Sequence, residues 1–150
     1  MTEIRGFREQ YQFLSNFYPC MIVFKDLVFD SVEAAFQAAK CQGFGDRRMF
    51  VGIAGAEVKK LGRRVKMRSD WESIKIPTMA KLVRQKFEND PALLEKLLST
   101  CDAMLVDENT WHDQFYGDCV CPRCRDIPGL NKLGNILMDL RKRRQTEGCL

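Results

Sequence analysis

The sequence predicts a helix-rich α+β domain with one small sheet. Three observations carry that expectation. A run of β-branched and aromatic residues is split by a polar pair at Lys25-Asp26. Three later segments repeat apolar residues at helical spacing. The 150 residues, 45% hydrophobic and 29% charged, suffice for one ordinary domain with its own core. Such a composition excludes global disorder and collagen-like repeats. No apolar run approaches the ~18–20 residues of a membrane span, so no membrane partner is expected.

In chain order, Met21–Phe24 and Leu27–Phe29 read as a hairpin around Lys25-Asp26. Asp30 and Ser31 then offer an N-cap for a helix through about Lys40. A second helix is expected from about Asp46 toward Leu61, with Gly52 and Gly55 as weak points and Gly62 at its end. Trp71 opens a segment that Pro77 should interrupt, and from Thr78 the set Met79, Leu82, Val83 and Phe87 has helical spacing. Asp90-Pro91 is a good N-cap and first-turn pair for a helix with Leu93, Leu94, Leu97 and Leu98. Ala103–Val106 reads as a strand. From about Asp107 to Gly129 the chain looks irregular, a length that often carries function. Leu133, Ile136, Leu137 and Leu140 mark a final amphipathic helix. Neither repeats nor a linker divide the chain, so one domain over residues 1–150 is expected.

The net charge of +4 is modest for a dedicated nucleic-acid domain. Lys59, Lys60, Arg63, Arg64, Lys66 and Arg68 form a run that suits either a solvated face or an anion site. Arg141–Arg144 reads as cations complementing the C-terminal end of a helix. The N-terminus carries early charges and no apolar core of a signal peptide. Seven cysteines, an odd number without an export signal, are therefore expected as reduced thiols in a cytoplasmic protein. Cys119-Val-Cys121-Pro-Arg-Cys124 places three of them within six residues. Thiolates at C-x-x-C spacing suit zinc, but a closed site needs a fourth ligand. No second C-x-x-C pair exists, and His112, the lone histidine, lies seven residues upstream of Cys119. A cysteine-rich surface loop without metal is the other reading.

Glu33, Gln37 and Lys40 occupy one face of the first predicted helix, at i, i+4 and i+7. The remaining positions are mostly alanine, so neighbouring backbone can approach and confine this polar stripe. Desolvation raises the pKa of a confined carboxylate and a nearby ammonium lowers it, which suits a general base. Asp30-Ser-Val-Glu33 equally fits a capping box in which Glu33 serves the helix start.

Six ordered motifs bring a family into view. Phe13-Leu-Ser-Asn-Phe-Tyr-Pro19 and Ser31-Val-Glu-Ala-Ala-Phe-Gln-Ala-Ala-Lys40 come first. Leu61-Gly-Arg63, then Asp70-Trp71-Glu72, then Asn109-x-Trp111-x-Asp113 with Tyr116-Gly117, then Gly129-Leu-Asn131-Lys-Leu-Gly134 follow. Together they resemble the NADAR superfamily, with its YbiA-like branch, over about residues 5 to 142. The resemblance implies a compact helix-rich domain and N-glycosidase chemistry on a ribosyl–nitrogen bond. The substrate would be an ADP-ribosylated guanine in nucleic acid or nucleoside, or a phosphoribosylamino-pyrimidine of the riboflavin pathway. It implies Glu33 as the catalytic base, with Asp113 holding ribose hydroxyls or assisting the leaving group. It further implies substrate contacts from Asn16, Phe17, Lys40, Arg63, Trp71, Tyr116 and Asn131. Trp71 and Tyr116 would stack on the base. No cofactor and no catalytic metal are implied. Two departures bear on substrate choice: Tyr116 stands where a Trp is usual, and Ala34 where some branches carry His. A cognate ADP-ribosyltransferase toxin would be a natural partner, though no residue of this chain speaks for one.

Two rival classes stay open at this point. One is a module that binds ADP-ribose or NAD without hydrolysis. The other is a small zinc-stabilised nucleic-acid adaptor built on the cysteine loop and the basic run.

Overall fold

The computed structural model describes residues 2–148; Cys149 lies outside the described residues. The chain forms two compact units. One comprises Asn16–Asn89, and the other combines Met1–Ser15 with Asp90–Leu150.

In the Asn16–Asn89 unit, strands β2 (Ile22–Phe24) and β3 (Leu27–Phe29) form the expected antiparallel hairpin, with Ile22 opposite Phe29. Lys25 and Asp26 both take positive φ, 51° and 65°, which gives the tight turn the twist that the strands need. Helix α1 (Val32–Ala39) is the centre of this unit. It packs against the hairpin and against three helices: α2 (Phe44–Arg48), α3 (Ala56–Gly62) and α4 (Trp71–Glu88). Val32, Ala34, Ala35 and Ala38 of α1 are wholly buried, because alanine lets neighbouring backbone come close on every side.

Two sequence expectations change here. The single helix from Asp46 to Leu61 is instead α2 and α3, separated by residues 49–55. Gly52 and Gly55 take φ of +77° and +62°, which no helix accommodates, so the weak points become a break. Conversely, Pro77 does not interrupt α4, which runs unbroken for 18 residues. Proline frees the carbonyl four residues back, here Ser73, and both Pro77 and Ser73 are exposed, so water can serve that carbonyl. The buried face of Met79, Leu82, Val83 and Phe87 carries the rest of the helix.

In the other unit, β1 (Glu3–Arg5) pairs in parallel with β4 (Met104–Val106), Ile4 lying opposite Leu105. The sequence reading identifies β4 but not β1, whose three residues are too short to show alternation. The sequence reading likewise gives no element over Glu9–Leu14, where a 3-10 stretch forms. Helix α6 (Lys132–Gly148) packs on β4, and α5 (Pro91–Ser99) packs on α6. Leu97, Leu105 and Leu137 are fully buried. Asp90 caps α5 as expected, its Oδ1 accepting from the amides of Ala92 and Leu93. The long segment after β4 is irregular except for β5 (Glu108–Asn109) and β6 (Asp118–Cys119), a short parallel pair. Because α6 runs on to Gly148, Arg141–Arg144 lies within the helix rather than at its end. Arg141 is buried and donates to Thr100 Oγ1 at 2.8 Å. Among the described residues no helix is long and apolar enough to cross a membrane.

Candidate active site

Six of the nine residues singled out from sequence fall in the Asn16–Asn89 unit: Asn16, Phe17, Glu33, Lys40, Arg63 and Trp71. Glu33 is 6% exposed. The helix cap falls on Ser31, whose hydroxyl accepts from the Ala34 amide at 3.1 Å. That puts Ala34 at N3 and Glu33 at N2, one position short of a capping box. The Glu33 side chain turns along the helix instead, where Gln37 Nε2 donates to its Oε1 at 3.0 Å. The Glu33 amide donates to the Asn16 carbonyl at 2.9 Å, and Asn16, itself buried, donates from Nδ2 to Met79 Sδ at 3.1 Å. The Phe13–Pro19 motif therefore ties the start of α1 to α4.

One turn on, Lys40 ends α1 and is half-buried. Burial, helped by the neighbouring Arg63 charge, lowers its pKa, while Cys41 and Glu33 pull the other way. Gly62, the last residue of α3, passes directly over this stripe. A Cβ there would collide with the Gln37 amide oxygen and reach 3.2 Å from Lys40 Nζ. The glycine thus ends the helix as expected, yet its structural work is the close approach of α3 to Gln37 and Lys40. Gln37 Oε1 is buried against it with no hydrogen-bond donor among the described groups. Arg63 follows, exposed. Lys59 Nζ sits 5.6 Å from the centre of the Phe17 ring, within cation–π range. Trp71 is 5% exposed, and its ring packs tilted on Phe36, 5.0 Å between centres. It packs against α1, with most of its ring buried. A separate groove lined by Val23, Phe24, Ile74, Pro77 and Leu82 lies between the hairpin and α4, and none of the six residues lines it.

Asp113, Tyr116 and Asn131 belong to the other unit. Asp113 folds the loop: its Oδ1 accepts from the amides of Phe115 and Tyr116 at 3.1 and 2.9 Å. Buried Asn109 clamps the same loop, donating to the Asp113 carbonyl at 2.8 Å and accepting from the Trp111 and Asp113 amides. Tyr116 is half-buried, edge-on to Phe115. Asn131, at φ +50°, accepts from the Asp107 amide and donates to the Leu105 carbonyl, so its side chain joins the start of α6 to the end of β4. The clamp made by Asn109 is the contact that the sequence reading left unassigned, and the orienting role of Gln37 goes beyond its place on the polar stripe. Both residues lie within the six motifs, the one signal that could have flagged them.

The structure thus brings together a buried carboxylate on a small-residue helix, an amide that orients it and a partly desolvated ammonium, the groups that acid–base chemistry requires. The chain belongs to the NADAR family, whose domain model matches residues 5–144 and so spans both units. It is 35% identical over 140 residues to the N-glycosidase Npun_R5314 of Nostoc punctiforme, covering 89% of this chain and 86% of that protein. It is 34% identical over 142 residues to the N-glycosidase YbiA of Escherichia coli, covering 93% of this chain and 85% of that protein. The solution structure of E. coli YbiA superposes with a TM-score of 0.82 at 29% identity, over 99% of this chain and 88% of that one. A protein of Vibrio vulnificus named riboflavin biosynthesis protein VVA0006 is 36% identical over 143 residues. This chain covers 91% of itself but only 36% of the length of that protein in the match.

Proposed function

We propose that the protein is an N-glycosidase that hydrolyses the ribosyl–nitrogen bond of a ribosylated base. The observation that carries this reading is the buried Glu33 carboxylate, which Gln37 orients, with Lys40 on the same face. The relatives named N-glycosidases support the reaction class.

Cleavage of such a bond passes through an oxocarbenium-like sugar. By analogy with inverting O-glycosidases, a carboxylate activates water on the face opposite the departing group. Glu33 takes that role: it accepts the proton of a water attacking C1′, and its charge stabilises the cationic sugar. Gln37 fixes the plane of the carboxylate. Lys40 and Arg63 supply cationic donors for a phosphate or diphosphate. Asn16 and Trp71 hold α1 in place, and Phe17 provides an apolar wall. Asp113, Tyr116 and Asn131 are the further substrate positions that the family resemblance suggests. The substrate is an ADP-ribosylated guanine, in nucleic acid or nucleoside, or a phosphoribosylamino-pyrimidine. The basic run suits the first class, and the names of riboflavin-related relatives suit the second.

The test is mass spectrometry of products from ADP-ribosylated guanosine, the same lesion in single-stranded DNA, NAD, ADP-ribose and a phosphoribosylamino-pyrimidine. Glu33→Gln keeps the shape and the acceptor for Gln37, so it should fold while losing about 10²–10⁴-fold in rate. Free base plus ribosyl product from wild type, and not from the variant, supports hydrolysis, and the substrate cleaved names the class. No cleavage, with ADP-ribose bound equally by both proteins, would establish the binding module instead.

A further inference from the structure

We propose that His112, Cys119, Cys121 and Cys124 bind one zinc ion in a closed structural site that holds the loop between β5 and α6 in its folded form. No step of the proposed hydrolysis passes through this ion. The Nδ1 atom of His112 lies 3.3 Å from Cys121 Sγ, 3.4 Å from Cys124 Sγ and 4.0 Å from Cys119 Sγ. All four donor atoms fall within 4.8 Å of one another. Tetrahedral zinc, with Zn–S of ~2.3 Å and Zn–N of ~2.0–2.1 Å, needs N···S separations of about 3.6 Å and S···S separations of about 3.8 Å. The three N···S distances bracket the first value, and the 4.8 Å limit on the whole set admits the second.

The backbone is shaped for the same purpose. His112 takes φ +70°, in the left-handed region, which aims its ring at the sulfurs although the residue is otherwise exposed. Cys121–Cys124 forms a tight turn in which the Cys124 and Arg125 amides donate to the Cys121 carbonyl at 3.0 and 2.9 Å. The three cysteines are buried and unbridged. A purely packing cluster would gain nothing from an imidazole nitrogen directed into it. Three soft thiolates and one imidazole in a tetrahedral set select zinc over oxygen-preferring cations such as magnesium or calcium. The resulting site carries a net charge of about −1, which flanking Arg123 and Arg125 offset. The spacing in sequence left the fourth ligand open; the fold supplies His112.

The test is elemental analysis of untagged protein, purified without chelators from zinc-supplemented cells. One equivalent of zinc per chain is expected. It should fall to background in Cys121→Ser and persist in Cys101→Ser, which alters an exposed thiol outside the cluster. Because Cys121→Ser could unfold the loop, wild type is also titrated with a mercurial in the presence of a zinc indicator. One zinc should be released as three thiols react. Cobalt exchange should give thiolate-to-metal charge transfer and the intense visible bands of a tetrahedral centre, shifted in His112→Gln. Background zinc in wild type would overturn the proposal. So would a disulfide among these three cysteines, zinc retained in Cys121→Ser, or alkylation of the cluster as fast as Cys101 in the native protein.

Discussion

Glu33 and Lys86 are both buried ionisable side chains on helices, and their surroundings give them opposite tasks. Glu33 is oriented by an amide of its own helix, and a Gln at this position keeps the oxygen that accepts from Gln37 Nε2. Lys86 is 2% exposed, its ammonium lying 5.5 Å from the Tyr18 ring centre and 5.1 Å from that of Phe87. Burial pushes its pKa down from the ordinary 10.5 to about 8, with Cys20 opposing weakly. The unfolded chain holds this proton more tightly, so the burial cost is fully present below pH 8 and is relieved as pH climbs toward 10.5. The cost is on the order of 3 kcal/mol. Lys86→Met should therefore stabilise the fold at pH 7 by about 1–3 kcal/mol in urea unfolding. Its advantage over wild type should shrink between pH 8 and 10.5; a gain independent of pH would refute the electrostatic cause.

At the scale of elements, α1 is positioned from both ends. Ser31 fixes its start, and Ser31→Ala should cost about 1 kcal/mol of stability. If thermal unfolding shows no loss, the cap is not what sets the register of Glu33. Gly62 of α3 fixes the other end of the stripe. In an open helix, Gly→Ala would gain up to about 1 kcal/mol. Here the added methyl displaces Gln37, so kcat/KM should drop by about 10²-fold, the scale expected for misplacing a catalytic group by an ångström. Full activity in Gly62→Ala would show that Gln37 does not orient Glu33. These elements differ in how far the sequence revealed them. The hairpin, the Ser31 and Asp90 caps and α6 were legible because each rests on local chemistry: β-branched pairs, a capping oxygen, an apolar stripe. The α2–α3 break and the unbroken α4 were not. Whether a glycine takes positive φ, and whether a carbonyl freed by proline meets water, depends on surroundings that the local sequence does not state.

Across the whole molecule, one unit combines the first stretch of the chain with the last, and in it β1 lies beside β4. Arg5 extends from β1 to Asp118 of β6 at 2.9 Å and to Glu108 of β5 at 3.2 Å. Asp118 also accepts from the Gly129 amide at 2.8 Å. That backbone bond first, and Arg5 second, hold its carboxyl below the ordinary carboxylate range. Stability from this clamp is present above about pH 4 and is lost as pH falls through the depressed value. Asp118→Asn should cost up to about 1 kcal/mol at neutral pH, given the exposure of Arg5, and flatten the acid limb of the stability profile. An acid limb of unchanged slope would mean that other carboxylates dominate it.

The sequence by itself determined the class of fold, the family, and the polar stripe of α1, because these live in local spacing and in ordered motifs. It could not separate a capping glutamate from an amide-oriented one, since the two differ by one residue in where the helix begins. Only the tertiary structure decided that. The same holds for Trp71, whose ring is taken up by Phe36, and for Asn131, whose amide joins α6 to β4. It holds most of all for His112, which stands seven residues from Cys119 and twelve from Cys124 along the chain. A left-handed backbone turn brings its nitrogen within hydrogen-bond range of two of the three sulfurs. Convergence of donors across a folded loop is a property of the path of the chain in space, and spacing along the sequence does not encode it.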